Sequence, residues 1–575
     1  MKLTKIYKNS NLNLGEVYTP PKLSSFVSNF ILYKYLKHLK NKKSLTILDP
    51  ACGDGSLLTG ITEEIKKNNL LDSFNQILVH GVDINHSSLK IAKENLVGNK
   101  NIKYEWFNMD SIIPEKNLPY IEGWKKNTNC KYDLILTNPP WGADLIHNKL
   151  NLQLAGYINT AGQIDSFYLF IEMCFELLKE DGMCIMILPD SIFGPEASEI
   201  RKYLLTKTNI KLISKLGEKI FPKINRATSL IMFQKTKNSL SEKTECFRLD
   251  SISKNDYLND KISLNDVYKK NKHYISQNRF LNNKNFEFDI DILETDLCLV
   301  KKIEYSKIKW DDYFVYGRGV EVSKNGDVVR CNFCNKWQGV TKRQIQSGSK
   351  KCAHCNEELI ISPETLDILV SKTNQQDYDS KFLVGENIHR YNISGNRFIK
   401  KNYLGINYKD DNIYSNPKLL IRKTGLGINS IIDYNKYMIS QTIYYYILNN
   451  NEWFDLEYVL GVLNSRVLFY YYLKKYGENE WKTHPYLTHS IIKTLPIKNI
   501  TPLNKEIAKK ISNLVKIIII NGYNTDIDLK IEKLVMDLYN LNELERIDIL
   551  NEINSLPNLG AINHMKLKIG DIINV

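Results

Sequence analysis

The chain has 575 residues, too long for one hydrophobic core, so two or three domains are expected. Hydrophobic residues make up 43% and charged residues 25%; the longest wholly aliphatic run, Ile517 to Ile520, and the polar start Met1-Lys2-Leu3-Thr4-Lys5 exclude a membrane span or secretion signal there, so a cytoplasmic protein with no membrane partner is expected. The net charge of +14 favours a polyanionic partner, although a lysine-rich, AT-biased proteome gives the same balance, and the ten cysteines of a chain with no secretory signal do not suggest a disulfide framework.

The first elements spell an α/β unit. The apolar run Thr46-Ile47-Leu48 predicts a buried strand that ends in Asp49-Pro50-Ala51-Cys52-Gly53-Asp54-Gly55-Ser56. A stretch with apolar Leu57, Leu58, Ile61 and Ile65 follows at helical spacing. Strand, glycine turn and helix open a doubly wound sheet, and the glycines let a ligand approach the backbone. Two glycines fall short of the full dinucleotide fingerprint. The next strand, Ile77 to Val82, ends at Asp83-Ile84-Asn85. An acid there suits ribose hydroxyls; the same segment also reads as a helix N-cap. A third strand near Lys103 to Phe107 ends at Asn108-Met109-Asp110-Ser111, where Asp110 is placed to accept a hydrogen bond from a purine amine.

The fourth strand, Tyr132 to Thr137, runs into Asn138-Pro139-Pro140-Trp141. Consecutive prolines fix the backbone and remove two amide donors, leaving carbonyls free for a ligand. The amine of a base is a poor nucleophile, because its lone pair is conjugated into the ring. The Asn138 side-chain oxygen and the Pro139 carbonyl can accept its two N–H bonds and expose that lone pair. Trp141 offers a face for stacking; the alternative is a proline turn with a buried aromatic.

These motifs, in this order, resemble the gamma-class N6-adenine DNA methyltransferases of restriction–modification systems. Gly15-Glu16-Val17-Tyr18-Thr19-Pro20 resembles the family's N-terminal motif over the methionine end of the cofactor. Asp49 to Gly55 matches the cofactor loop, Asp83 with Ile84 the ribose site, Asp110 with Ser111 the adenine site, and Asn138 to Trp141 the catalytic tetrapeptide. Tyr or Phe is commoner at the fourth place; Trp141 enlarges the stacking surface. Asp165 to Phe170 and Gly182 to Pro189 resemble the next motifs. Phe221-Pro222-Lys223 with Ala227 to Phe233 resembles the motif whose Phe packs on the flipped adenine. The resemblance covers about residues 15 to 235. It implies a Rossmann-like fold that binds S-adenosyl-L-methionine. It also implies double-stranded DNA as substrate, with the target base flipped between Trp141 and Phe221. No Pro-Cys pair of the cytosine-C5 kind is present, and Cys52 is not expected to be catalytic.

Residues 241–300 are polar and predict a connection after a methyltransferase domain over 1–240. The region 301–500 mixes aromatic and basic residues, as in Tyr313 to Arg318, Arg390-Tyr391-Asn392 and Lys418 to Lys423, which suits phosphate contact and base readout. The resemblance implies an α+β target-recognition domain there, with Leu463-Asn464-Ser465 and Leu495-Pro496-Ile497 similar to family patterns. Within an insert at about 325–360, Cys331-Asn332-Phe333-Cys334 and Cys352-Ala353-His354-Cys355 form two CxxC knuckles, the spacing of a structural zinc ribbon; the alternative is two redox or buried pairs. Lys342, Arg343, Lys350 and Lys351 make this module a DNA contact or a stability clip. From 501 to 575 the apolar spacing is helical. The few residues before Gly15 leave no room there for a fused nuclease; the chain is expected either to protect DNA from a cognate restriction endonuclease or other defence-system subunit, or to act alone. Competing readings keep the chemistry on RNA or protein glutamine, or make the chain a DNA-binding specificity subunit.

Overall fold

The computed structural model describes residues 18–37, 43–98, 100–113, 131–142, 147–160, 164–222, 226–236, 243–378, 380–449, 453–476, 487–558, 560 and 562–573. The described chain forms two compact units that divide between Glu294 and Thr295. Among the described residues, no helix is long and apolar enough to cross a membrane.

The first unit is a nine-stranded sheet. Its strands are β1 (Ser44–Asp49), β2 (Gln76–Asp83), β3 (Ile102–Asn108), β4 (Tyr132–Thr137), β5 (Leu178–Pro189), β6 (Asn209–Gly217), β7 (Thr228–Gln234), β8 (Lys243–Arg248) and β9 (His273–Ser276), in the order β3-β2-β1-β4-β5-β7-β6-β8-β9. β1 to β5 run parallel, and β7 is antiparallel to both β5 and β6. The strand order reverses between β1 and β4, the place where such sheets open a crevice at their carboxyl ends. The core lies on both faces. Along β5, Cys184, Met186 and Leu188 enter one cluster while Met183, Ile185 and Ile187 enter the other. That alternation with every residue buried is why these strands read as continuous apolar runs.

Four helices matter for the site: α1 (Pro21–Leu36), α2 (Ser56–Lys67), α3 (His86–Asn95) and α4 (Ser166–Leu177). Asp133, fully buried near the start of β4, ties α1 and β1 to that strand. Its oxygens accept bonds from Tyr35 Oη at 2.7 Å, from Thr46 N at 2.9 Å and from Lys179 Nζ at 2.8 Å. The polar stretch 241–300 does not form a connection. Cys246 and Phe247 of β8 enter opposite cores, and β8 and β9 extend the sheet. The boundary at 294 therefore lies well beyond residue 240.

In the second unit, β10 (Phe314–Arg318) joins Ile443–Leu448, Lys418–Arg422 and Ser430–Asp433 in an antiparallel sheet. A small module follows β10: β11 (Asp327–Arg330), β12 (Trp337–Gly339), α5 (Lys342–Ser347), β13 (Ser349–Lys351), β14 (Glu358–Ile360) and β15 (Leu366–Ile368). The C-terminal part is helical, with α6 (Leu456–Leu463), α7 (Arg466–Tyr476), α8 (Lys505–Asn521), α9 (Thr525–Leu538) and α10 (Glu543–Ser555). A fully buried ion cluster joins these helices. Arg390 meets Asp528 at 2.6 Å and Glu532 at 3.2 Å, and Arg466 meets them at 3.2 Å and 2.9 Å. Lys418 pairs with Asp433 at 2.6 Å, both with no exposed side chain. Arg390 and Lys418, expected on a phosphate-contacting surface, are thus interior groups. Their charge is offset by buried carboxylates, so neither faces a phosphate.

Candidate functional site

A cavity opens at the carboxyl ends of β1 and β4, and Tyr18, Thr19, Asp49, Ala51, Cys52, Gly53 and Asn138 line it. Asp54, Ser56 and Leu57 share the lining. The loop after β1 is held by its own groups. Asp49 Oδ1 accepts from Ala51 N at 3.0 Å, and Cys52 N donates to Val82 O at 2.9 Å. Gly53 and Gly55 have φ of +51° and +82°, values that disfavour side chains, and Gly55 caps α2. A Cβ on Gly53 would stand 3.4 Å from the Tyr18 ring. Ser111 Oγ donates to Pro50 O at 2.5 Å, so this hydroxyl braces the loop.

Asp49 is 1% exposed, and burial pushes its carboxyl up to about 7 against the bond from Ala51. Burial likewise pushes the Cys52 thiol well above its ordinary range, so it is no thiolate nucleophile. Asp83, at the end of β2, accepts from Gly53 N at 2.8 Å and from Asn85 N at 2.7 Å. The cap of α3 is Asn85, which accepts from Ser87 N and Ser88 N, so Asp83 is not that cap. Ile84 beside it is 46% exposed. Asn108 Nδ2 donates to the carbonyls of Asp83 and Ile84 at 2.9 and 3.1 Å, joining the ends of β2 and β3.

Each carboxylate oxygen of Asp110 has a partner. Its Oδ1 accepts from Ile112 N at 2.8 Å, and its Oδ2 lies 2.5 Å from His147 Nε2. Nothing in the local sequence pairs these two residues, which are 37 positions apart.

The corner after β4 is built by α4. Ser166 Oγ donates to Pro140 O, Ser166 N donates to Gly142 O at 3.0 Å, and Gly142 N donates to Asp165 Oδ1 at 3.0 Å. Arg226 stands 3.5 Å from the other Asp165 oxygen. The motif from Asp165 to Phe170 therefore splints Pro139-Pro140-Trp141 from behind. Trp141 Nε1 donates to Ile187 O at 3.3 Å. Its ring meets Phe221 edge to face, with centroids 5.5 Å apart at 87°, and Phe221 is 1% exposed. Perpendicular rings in contact leave no slot between their faces, so the expected sandwich is not the arrangement seen. Pro20 precedes the first residue of α1. Gly15, Glu16, Val17 and Lys223 lie outside the described residues.

In the second unit, the four cysteine sulfurs lie within 4.8 Å of one another. Cys331 and Cys355 are 3.7 Å apart, and Cys334 and Cys352 are 3.8 Å apart. Each knuckle turns through a left-handed asparagine, Asn335 (φ +57°) or Asn356 (φ +65°), whose N–H donates to the carbonyl of Cys331 or Cys352. The repeated Cys-x-x-Cys-Asn is the sequence trace of that turn. His354 N donates to Cys352 Sγ at 3.4 Å, while its ring stays exposed.

Comparison with known proteins places the chain. Type II methyltransferase M.VspI of Vibrio sp. (strain 343) is 28% identical over 236 residues, covering 40% of this chain and 50% of that protein. The methylase subunit of type I restriction enzyme EcoEI of Escherichia coli is 25% identical over 232 residues, covering 39% of this chain and 43% of that one. The matched region thus spans half or less of the length of these relatives. Among solved structures, the ATP-dependent Type ISP restriction-modification enzyme LlaBIII bound to DNA aligns over 91% of this chain and 42% of its own, with a TM-score of 0.51 and 14% identity, a likeness of fold. Residues 380–497 match the TaqI-like C-terminal specificity domain. Residues 2–316, more than half of the chain, match the N-6 DNA Methylase family, and the chain belongs to that family.

Proposed function

We propose that this chain transfers a methyl group from S-adenosylmethionine to the N6 amine of a flipped adenine in duplex DNA, within a restriction–modification setting. The observation that carries the reading is the splinted Asn-Pro-Pro-Trp corner, whose Asn138 lines the same cavity as the glycine loop. The donor fits the residues present. At Gly53 the loop backbone stands beside the Tyr18 ring in a left-handed conformation, φ +51°, that disfavours a side chain. Asp83 stands at the end of β2 bonded to the glycine loop, where an acid suits ribose hydroxyls, and exposed Ile84 offers an apolar face to an adenine ring. Tyr18, Thr19 and Pro20 border the methionine end, and Asp110 takes the cofactor's adenine amine. When bound, the donor supplies an electrophilic sulfonium methyl.

Asn138 Oδ1 and the Pro139 carbonyl accept the two N–H bonds of the target amine and localise its lone pair towards the methyl carbon. The N–C bond forms as the S–C bond breaks, and the amine's proton leaves to solvent. Trp141 stacks on one face of the base, offsetting part of the few kcal/mol of unstacking. Phe221 buttresses Trp141 from its edge. Positioning and hydrogen bonding supply the catalysis, with no covalent enzyme intermediate.

The four cysteines are read as a structural zinc site. A tetrahedron with Zn–S bonds of about 2.3 Å has S···S edges of about 3.8 Å, close to the two sulfur pairs above. A DNA substrate puts the enzyme in the cytoplasm, with a cognate endonuclease or further subunit as partner. The deciding experiment is modified-base sequencing of DNA from cells expressing the chain or Asn138→Ala. N6-methyladenine at one defined site, absent with the variant, is expected. Labelling of RNA or polypeptide with no labelling of any duplex would overturn the reading.

A further inference from the structure

The cysteine module is electrically polarised along its sequence. Residues 330–351 hold Arg330, Lys336, Lys342, Arg343, Lys350 and Lys351 and no acid, whereas residues 352–364 hold Glu357, Glu358 and Glu364 and no Lys or Arg. Cations just outside the first stretch are paired: Arg318 with Glu321 at 2.5 Å, Lys324 with Glu386 at 3.5 Å and Lys400 with Asp367 at 3.4 Å. Arg330, Lys336, Lys342 and Arg343 form no ion pair with a carboxylate among the described residues, and three of them are exposed. Phe333, at the tip of the first knuckle, is 68% exposed. The module is also fixed in place within its unit. Trp337 N donates to Leu404 O at 2.6 Å and its ring meets Tyr403 at 5.0 Å, while Leu369 N donates to Gly326 O at 2.9 Å.

A fold stabiliser needs no run of exposed cations left without carboxylate partners. Like charges left unneutralised on a rigid support repel one another unless a polyanion covers them. We propose that the first knuckle and α5 form a phosphate-contacting arm that docks on duplex DNA, with the carboxylates of the second knuckle making no DNA contact. The arm touches the backbone and adds affinity without sequence preference, because ammonium and guanidinium contacts to phosphate carry no base information. This rests on DNA being the substrate, as proposed above.

The test uses the full chain and fluorescence anisotropy with a labelled duplex of arbitrary sequence, over roughly 0.05 to 0.3 M salt. Arg330→Ala/Lys342→Ala/Arg343→Ala is expected to bind roughly tenfold more weakly near 0.15 M salt, and its log–log salt slope shrinks by about 0.9 for each phosphate that the protein no longer neutralises. Glu357→Gln/Glu358→Gln is expected to keep the wild-type slope. Both variants should keep the wild-type metal content and melting temperature, since they change exposed groups. An unchanged slope in the triple variant overturns the arm, as does weakened binding of duplex RNA with unaltered binding of DNA. Methyl incorporation into genomic DNA separates the two readings. Wild type that labels DNA beside a triple variant of unchanged slope defeats the arm alone, whereas wild type that neither binds nor labels DNA defeats both.

Discussion

Asp49 gives the donor cavity a pH dependence. Its carboxyl is buried at the end of β1 and titrates near 7, burial being the largest cause and the bond from Ala51 N opposing it. At that value about a tenth of the chains carry an ionised Asp49 at pH 6 and about nine tenths at pH 8. The proposed donor carries a sulfonium and an ammonium, so it favours the ionised form. Donor affinity should therefore rise about tenfold from pH 6 to pH 8, with close to one proton released per donor bound at the acid end. Isothermal titration calorimetry in two buffers of different ionisation heat measures both quantities. Asp49→Asn keeps an acceptor for Ala51 N and removes the titration, so its affinity should be flat apart from the donor's own amine, which is common to both proteins and cancels. The same shift has a stability sign. An acid raised from 3.8 stabilises the fold fully below that value and loses the contribution as pH rises through about 7. Asp49→Asn should consequently be more stable than wild type at pH 8, by at most about 4 kcal/mol. A variant that keeps the tenfold rise, or a wild type whose binding heat ignores the buffer, would refute this reasoning.

Three further outcomes follow from buried groups. His80 has no exposed side chain, and burial lowers its imidazole to about 4 while Glu105 at 3.2 Å opposes the shift. Its contribution is complete above 6.5 and lost as pH falls towards 4, so the hydrogen-exchange protection factors of β2, taken relative to the intrinsic rate at each pH, should fall between about pH 6.5 and 4.5 in wild type and far less in His80→Gln. Asp528→Ala strands Arg390 and Arg466 in the interior and should cost the second unit about 3–5 kcal/mol in urea denaturation, with α9 exchanging first; a cost near zero would contradict the cluster's burial. Purified protein should hold about one zinc per chain by elemental analysis, and Cys352→Ser should fall below about half an equivalent.

How much of the molecule is legible in its sequence depends on whether the cause is local. The strands ending at Asp49, Asp83 and Thr137 stand out because parallel strands buried on both faces are short unbroken apolar runs. The cysteine knuckles stand out because ligand spacing is written along the chain. β8 and β9 are hidden, because both are short and flanked by polar residues, and β9 at the sheet edge buries Ile275 alone, so the stretch shares the composition of a linker. The His147–Asp110 contact, the Asp165–Gly142 splint and the edge-on contact of Phe221 with Trp141 join residues far apart in sequence, and no local pattern encodes them.

Charge shows the same divide most clearly. A net +14 says that cations are in excess and leaves open where they sit. Arg390, Arg466 and Lys418 look like DNA-binding residues in a basic, aromatic-rich stretch, yet the two arginines are buried against Asp528 and Glu532 and the lysine against Asp433. Removing a buried charge from water costs several kcal/mol unless it is paired, so these cations are committed to the fold and closed to a ligand. Arg330, Lys342 and Arg343 look no different in sequence, but they are exposed and lack a carboxylate partner among the described residues. The free energy of meeting a phosphate is still open to them. Local density of Lys and Arg therefore ranks candidate DNA contacts poorly, and pairing together with burial ranks them better.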